Sequence, residues 1–249
     1  MKDTRISLTS AGTCAHASAR KQARKLNVLI ACEESQAECA AFRALGHNAY
    51  SCDIQPCRRG ANPYWHIHGD VTPLLRGDTA FNVQAGFLRC VPGWDLIIAH
   101  PPCTYLSKVG SPWMHKDEDA EVCLDGKMVP VNFDRYMKMC SGRDFFFECL
   151  NAQAPFVAVE NPIPMRLAQL PKPTTFIDPS WFGVKYTKKT LFWLKNLPPI
   201  LPERFFPNPK CYVNSSRGKY RSRTFPQVAV AIAKQWSEYI LSTDSNITI

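Results

Sequence analysis

The chain has 249 residues, of which 45% are hydrophobic, and its formal net charge at pH 7 is +9. This length and composition predict one domain with a full hydrophobic core, and the longest apolar runs, of about six residues, are too short to cross a membrane. Eleven cysteines in a chain of this size, without an apolar leader, predict reduced thiols and a cytoplasmic protein rather than a disulfide scaffold.

The start of the chain is basic and polar. Residues 1–26 combine six basic side chains with many Ser, Thr and Ala residues, which predicts a disordered basic arm ahead of a domain that spans residues 27–249. The basic excess of the whole chain favours a polyanionic partner such as nucleic acid, because it adds a sequence-independent attraction to phosphate.

Strand-like and helix-like segments alternate along the domain. We predict strands at residues 27–32, 49–52, 64–68, 95–99, 156–159 and 190–194, and helices at residues 34–45, 135–152 and 226–241. This alternation predicts an α/β fold with a doubly wound, mostly parallel sheet. Two segments lack periodicity and are predicted to be irregular. Residues 111–133 would form a mobile lid, and residues 196–226 a loop that faces the substrate.

Two of the predicted strands end in residues that can carry chemistry. Cys103 follows the strand at residues 95–99, within a Pro-Cys-x-x-x-Ser-x-x-Gly string, and Glu160 closes the strand at residues 156–159. Open α/β sheets bind ligands at the carboxyl ends of their strands, so the thiol and the carboxylate are expected at the same edge. Such a pair can attack and protonate a pyrimidine ring.

These motifs resemble those of the cytosine-5 DNA methyltransferases, and they occur in the same order. Residues 95–110 resemble the catalytic Pro-Cys motif, and residues 143–162 resemble the segment that ends in Glu-Asn-Val, with Pro162 replacing the valine. The resemblance covers roughly residues 27–195. It implies a Rossmann-like class I methyltransferase fold and methyl transfer from S-adenosylmethionine to carbon 5 of cytosine, with DNA as the expected substrate.

The resemblance also implies roles for single residues. Cys103 would add to the cytosine ring as a nucleophile, and Glu160 would protonate a ring nitrogen. The expected contacts with the cofactor are Cys32, Glu33, Asp53, Asp70, Val71 and Pro101. The expected contacts with the substrate are Ser107, Asn161 and Lys188.

Two departures from the family pattern affect these expectations. The glycine-rich loop after the first strand is replaced by Cys-Glu-Glu-Ser at residues 32–35, where Glu33 could pair with the ammonium group of the donor, and an altered sulfonium donor stays open. The large target-recognition region is missing. The chain would therefore read little sequence, use a protein partner for recognition, or act on a smaller substrate.

Other interpretations of the same residues stay open. The string His-Pro-Pro-Cys at residues 100–103 also resembles the Asp/Asn-Pro-Pro-aromatic motif of amino-methyltransferases, which modify exocyclic nitrogens. The lost glycines also fit a non-catalytic subunit that binds nucleic acid. Finally, Cys52, Cys57, His66 and His68 could gather zinc, but their spacing fits no common zinc site, and we expect no metal.

Overall fold

A computed structural model of the chain describes residues 24–212 and 224–245, so residues 1–23 of the predicted arm lie outside the described residues. The α-helices are α1 (Ala37–Ala44), α2 (Thr72–Leu75), α3 (Ser111–Met114), α4 (Phe133–Leu150) and α5 (Pro226–Ser245). The strands are β1 (Asn27–Ala31), β2 (Asn48–Asp53), β3 (His66–His68), β4 (Ala80–Asn82), β5 (Leu88–Cys90), β6 (Leu96–Ala99), β7 (Ala120–Leu124), β8 (Lys127–Val131), β9 (Phe156–Asn161), β10 (Thr175–Ile177), β11 (Tyr186–Thr187), β12 (Thr190–Lys195) and β13 (Lys210–Cys211).

Seven of these strands form the central sheet, in the order β10-β12-β9-β6-β1-β2-β3. The pairs β1–β2, β1–β6, β2–β3 and β6–β9 are parallel, whereas β12 runs antiparallel to both of its neighbours, β9 and β10. A doubly wound sheet with one reversed strand inserted near its end is the arrangement of class I methyltransferases. The strand order therefore confirms the predicted Rossmann-like fold class.

Helices cover both faces of the sheet. Helices α1 and α5 pack on the face reached by Val28 and Ile30, and helices α2 and α4 pack on the opposite face, reached by Leu29 and Ala31. Because successive strand residues point to opposite faces, a strand covered on both sides becomes a continuous apolar run. Within the described ranges, no helix has both the length and the apolar character that a membrane crossing requires.

Two helices begin at different residues from those predicted. Helix α1 begins at Ala37 rather than at residue 34, because the preceding residues form its cap: the carboxylate of Glu33 accepts the backbone N–H of Glu38 at 2.8 Å and that of Cys39 at 3.3 Å. Helix α4 begins two residues before the predicted position, and its N-cap residue is Asn132. Side chains that satisfy exposed helix amides thus set both boundaries.

The prediction that residues 111–133 are irregular is wrong. This segment contains the short helix α3 and the antiparallel hairpin β7–β8. The hairpin turns at Asp125 and Gly126, whose φ angles of 50° and 77° are those of the tight turns that suit hairpins. Alternate residues of the hairpin, such as Val122 and Val131, pack against the core. An Asp-Gly pair between alternating residues is a hairpin signal that the sequence carried.

The second segment predicted as irregular is only partly described. Within residues 196–212, β13 pairs in parallel with β11, and the side-chain amide of Gln235 on α5 both accepts from and donates to the backbone of Leu201, at 2.8 and 2.9 Å. Residues 213–223 lie outside the described residues. The described part is thus tied to the rest of the domain at two places.

The folded domain extends three residues further towards the N-terminus than predicted. Leu26 is fully buried, and Arg24 forms an ion pair with Asp95 at 2.6 Å. Asp95 also accepts the backbone N–H of Asn27 at 2.7 Å. The described chain is therefore anchored to the start of β6 from its first residues.

The described cysteines are free thiols. Burial raises the pKa of Cys32 to about 12. Burial also raises the pKa of three other core thiols, those of Cys39, Cys52 and Cys149. These four side chains therefore remain protonated packing elements at neutral pH.

Candidate active site

The loop that carries Cys103 starts at the carboxyl end of β6. His100 extends the ladder by one residue, because its N–H donates to the carbonyl of Ala31 at 3.0 Å. The chain then turns tightly, with the N–H groups of Leu106 and Ser107 both donating to the carbonyl of Cys103, at 3.1 and 2.9 Å. Cys103 is half-buried and Pro101 is buried. The sequence prediction of a thiol at this strand end thus matches its position in the structure.

Backbone hydrogen bonds join this loop to the segment that follows β9. The N–H of Lys108 donates to the carbonyl of Ile163 at 2.8 Å, and the N–H of Met165 donates to that of Leu106 at 2.7 Å. Ser107, a predicted substrate contact, is buried and forms an isolated bridge with Pro164. The loop of Cys103 and the end of the strand that carries Glu160 are therefore held together as one unit.

Gly110 closes the cysteine loop at a place where a larger residue does not fit. A Cβ atom at this position would lie 2.7 Å from the carbonyl oxygen of Thr104 and 3.1 Å from Nη2 of Arg135. The guanidinium group of Arg135 also lies over the ring of Tyr105, at 5.0 Å. The motif therefore has glycine at position 110 because the backbone carbonyl of Thr104, the residue after Cys103, lies too close for a side chain.

We expect Gly110→Ala to shift this loop, because the contact with a backbone carbonyl can be relieved only by backbone movement. The variant should melt at a lower temperature and turn over at least about 10-fold more slowly, since small displacements at a reacting group are costly. Gly93→Ala is the matched control, because a Cβ atom there has no neighbour within 4 Å. Equal activity and equal melting temperatures in both variants would contradict this account.

Glu160 lies in a cluster of ionisable groups on the face of the sheet covered by α1 and α5. The ring of His100 contacts two carboxylates at once: Nε2 lies 3.2 Å from Oε2 of Glu38, and Nδ1 lies 3.4 Å from Oε2 of Glu160. The hydroxyl group of Thr224, just before α5, donates to Glu38 at 3.1 Å. Four elements that are distant in sequence therefore meet at this point.

A pocket opens next to this cluster. Glu38, His100, Glu160 and Lys188 bring the charged groups to its wall, and its apolar lining comes from Ile177, Pro179, Phe192, Phe225, Val228 and Ile232. The cavity is small, with a volume of about 30 Å³, and it combines apolar walls with a few convergent polar groups. The structure thus brings together two of the predicted site residues, Glu160 and Lys188.

Three predicted cofactor contacts, Cys32, Asp53 and Asp70, lie at the same edge of the sheet, at the ends of β1, β2 and β3. Besides burial, the charges of Asp53 and Asp70 raise the pKa of Cys32, which places the three side chains near one another at the ends of β1, β2 and β3. Cys32 and Gln36 adopt φ angles of 61° and 59°. The loop after β1 therefore makes two left-handed turns without any of the glycines that usually allow them.

Three of the predicted cofactor or substrate contacts, Glu33, Val71 and Asn161, are buried. Glu33 is buried against the first turn of α1, where its carboxylate binds helix amides, so its side chain does not point at an open site. Val71 is buried in the core, and Asn161 is fully buried. The amide of Asn161 donates to the carbonyl of Pro162 at 2.7 Å, while its Oδ1 has no hydrogen-bond partner in the described chain.

The buried Glu33 should make the stability of the protein depend on pH. Burial, followed by the charge of Glu38, raises the pKa of Glu33 from 4.5 to about 7. The native state then holds a proton that the unfolded state releases, so the free energy of unfolding should fall as the pH rises from 4.5 to 7. We expect Glu33→Gln to remove part of this fall, on the order of 1 kcal/mol.

Urea unfolding at several pH values between 5 and 8 would measure this difference. Glu121→Gln on the exposed face of β7 serves as the control, because that side chain is exposed and should leave the wild-type pH dependence unchanged. Parallel curves for wild type and Glu33→Gln would show that Glu33 is ionised in the native state.

Sequence reasoning missed several residues of this edge. His100 was noted only as part of an alternative motif, and Glu38, Thr224 and Arg135 were not predicted at all. Glu38 reads in sequence as an ordinary acid in the first turn of a helix, where acids are favourable. Only the burial of its side chain, which is 1% exposed, distinguishes it from a surface residue.

Two of the four residues considered as zinc ligands, His66 and His68, form hydrogen bonds with other groups. His66 bonds the hydroxyl of Ser51 at 2.8 Å and the carbonyl of Gln55 at 2.9 Å, and His68 bonds the carbonyl of Ile54 at 3.1 Å. Among residues 24–212 and 224–245, no three His, Cys, Asp or Glu side chains are grouped so that they could hold a metal ion.

Comparisons with known proteins add little to this description. No protein-family model matches the chain, and no curated protein matches it. A solved structure from E. coli, of a prophage-encoded protein described as a DNA modification methyltransferase, is similar at 15% identity with a TM-score of 0.37. The similar region covers 68% of this chain and 46% of that one, so the chain spans less than half the length of that protein. The fold assignment therefore depends on the strand order described above.

Proposed function

We propose that the protein transfers a methyl group from S-adenosylmethionine to carbon 5 of cytosine in DNA. The observation that supports this proposal is that Cys103 lies on the loop after β6, while Glu160 lies near the end of the adjacent parallel strand β9. Strands β6 and β9 pair in register from Leu96↔Phe156 to Ala99↔Val159, so Glu160 lies one position beyond the last pair, level with His100, which is three residues before Cys103 in the neighbouring loop. The hydrogen bonds between the cysteine loop and residues 163–165 support a fixed relation between the two groups.

The chemistry uses both groups in turn. The thiolate of Cys103 adds to carbon 6, and as the ring electrons shift, Glu160 gives a proton to ring nitrogen 3. Carbon 5 then has the electron density of an enamine. When bound, S-adenosylmethionine supplies the electrophilic methyl group that this carbon accepts. A base finally removes the carbon 5 proton, the C–S bond breaks, and the proton on nitrogen 3 returns to Glu160.

Some residues at the ends of β1, β2 and β3 are suited to bind S-adenosylmethionine. Asp53 and Asp70 bring two carboxylates to the ends of β2 and β3, where they could accept hydrogen bonds from hydroxyl groups of the donor. The left-handed turn at Cys32 provides the sharp bend that glycines usually provide after β1. Glu33 does not fit the predicted contact with an ammonium group, because helix amides already occupy its carboxylate.

Basic residues near the pocket favour DNA as the substrate. Lys188 lines the pocket beside Glu160, and the exposed residues Lys185, Lys189 and Lys210 lie on or next to the paired strands β11 and β13. Lysines at the rim of a site neutralise phosphates without reading sequence. If the DNA is a duplex, the target base must leave the stack to reach Cys103. Reading of the target sequence would come from a partner protein.

The test is transfer of label from methyl-tritiated S-adenosylmethionine to duplex DNA, single-stranded DNA, RNA and dCMP, followed by nucleoside analysis. We expect label in 5-methylcytosine, with DNA as the best acceptor. Label on an exocyclic nitrogen would support the amino-methyltransferase interpretation instead. Folded protein that transfers no label to any acceptor would contradict the proposal.

A further inference from the structure

His100 lies between two carboxylates that come from opposite sides of the site. Its side chain is 13% exposed, and both ring nitrogens face acidic oxygens, Nε2 facing Glu38 and Nδ1 facing Glu160. A neutral imidazole carries one N–H and can donate to one of these carboxylates only. Both hydrogen bonds of the ring can therefore form at the same time only when the cluster holds one proton more than a neutral imidazole with two carboxylates. This proton can be on the ring or on one of the carboxylates.

We propose that His100 is a proton relay that resupplies Glu160 during each catalytic cycle, with Glu38 holding the ring in place. This inference depends on the proposed function and deepens it. It assigns a source for the proton that Glu160 passes to the cytosine ring. In this proposal His100 acts through Glu160, so it is a positioning and relay residue.

The charges around the ring favour the imidazolium ion. Burial alone would lower the pKa of His100, but the charge of Glu38 and the hydrogen bonds with Glu160 and Glu38 outweigh it, so this pKa lies well above 6.5. The other ionisable groups facing the cluster are Glu33, which is close enough to feel the charge of His100, and Lys188, which lines the same pocket. Glu38 is itself fixed by the hydroxyl group of Thr224.

The relay step is balanced in protons. During protonation of nitrogen 3, the Nδ1 proton of the imidazolium ion passes to the carboxylate of Glu160 and from it to the ring nitrogen of cytosine, so the imidazole becomes neutral and Glu160 is a carboxylate again. Nε2 keeps its proton and donates it in a hydrogen bond to the carboxylate of Glu38. This hydrogen bond fixes the tautomer of the neutral ring, as in other carboxylate–histidine pairs. When the C–S bond breaks, the proton on nitrogen 3 returns to Glu160 and then to Nδ1. The cluster ends the cycle with the proton with which it started.

The pH dependence of kcat separates a relay from a purely structural role. Because the relay needs the imidazolium ion, kcat should fall at high pH, above the pKa of His100. We expect His100→Gln to lower kcat by about 10- to 100-fold and to abolish this alkaline decline, with KM for DNA and the Kd of the donor changed by less than about threefold. Glu38→Gln should shift the alkaline decline to lower pH, because it removes a charge that favours the imidazolium ion.

His47→Gln is the matched control, because His47 is also buried but lies at the start of β2, where its Nδ1 accepts the N–H of Leu26 at 3.3 Å. It should lower stability and leave the pH profile as in wild type. A His100→Gln enzyme with the wild-type alkaline decline would overturn the relay while leaving the proposed function intact.

A second measurement needs no substrate and no variant of His100. NMR titration of the imidazole signals in the wild-type protein should show a pKa well above 6.5 for His100, and Glu38→Gln should lower that value. Titration of every assigned histidine at or below 6.5 would overturn the relay. Failure of the wild-type protein to modify cytosine would instead contradict the proposed function, together with the relay that depends on it.

Discussion

Replacing Cys103 with alanine should reduce methyl transfer to cytosine by at least about 10³-fold, because removal of a covalent nucleophile leaves only binding and electrostatic contributions. Its carbonyl group, which organises the loop, is kept in the variant, so the fold should persist. Binding of S-adenosylmethionine should change little. Initial rates of label transfer and calorimetric titration with the donor would measure the two effects separately.

Cys57→Ala is the control for this prediction. Cys57 is also a half-buried thiol, and its backbone N–H, which donates to Oε1 of Gln84 at 2.8 Å, is kept in the substitution. DNA that contains 5-fluorocytosine should form a stable covalent complex with the wild type and with Cys57→Ala, and none with Cys103→Ala. Normal turnover of Cys103→Ala would show that the reaction needs no thiol adduct.

Replacing Glu160 with glutamine should lower kcat by about 10²- to 10⁴-fold, the range typical of a lost general acid. The amide keeps the shape of the side chain and can still hydrogen-bond a ring nitrogen, but it cannot donate a proton and regain it. Donor binding should be maintained, because Glu160 lies at the pocket beside Lys188 and not at the ends of β1 to β3. Rapid-quench kinetics under single-turnover conditions would isolate the chemical step.

Glu148→Gln on α4 provides the comparison for Glu160→Gln. Glu148 is paired with Arg76 at 2.7 Å at the surface, so its loss should cost little stability and no activity. If Glu160→Gln and Glu148→Gln transferred methyl groups at the same rate, Glu160 would have no role in proton transfer. The pocket beside it would then need another explanation.

The central sheet could be predicted from the sequence because its strands are buried on both faces. The run Leu96–Ala99 is apolar at every position, and each residue packs into one of the two cores. The thiol and the carboxylate were predicted as a pair for the same reason: Cys103 lies on the loop after such a strand, and Glu160 lies near the end of another. The carboxyl ends of parallel strands lie along one edge of the sheet, so a residue that follows or ends such a strand is expected at that edge.

The cluster around His100 could not be predicted in this way. His100 is 62 residues from Glu38 in sequence, and Thr224 is 186 residues from Glu38. Local periodicity contains no information about such pairs, which depend on how α1 and α5 pack on the sheet. The hairpin β7–β8 could have been predicted, because its Asp-Gly turn and its alternating residues are present in the sequence. Its polar composition led instead to the prediction of an irregular segment.

Because the cysteines are buried to different extents, their thiols should differ in reactivity towards electrophiles. A mild electrophile such as iodoacetamide reacts with thiolates, so at neutral pH it should spare Cys32, Cys39, Cys52 and Cys149, whose pKa values are raised by burial. Half-buried Cys103 and the surface thiols are left to react. Protection of Cys103 by bound oligonucleotides, read by mass spectrometry, would therefore rank candidate substrates without any turnover.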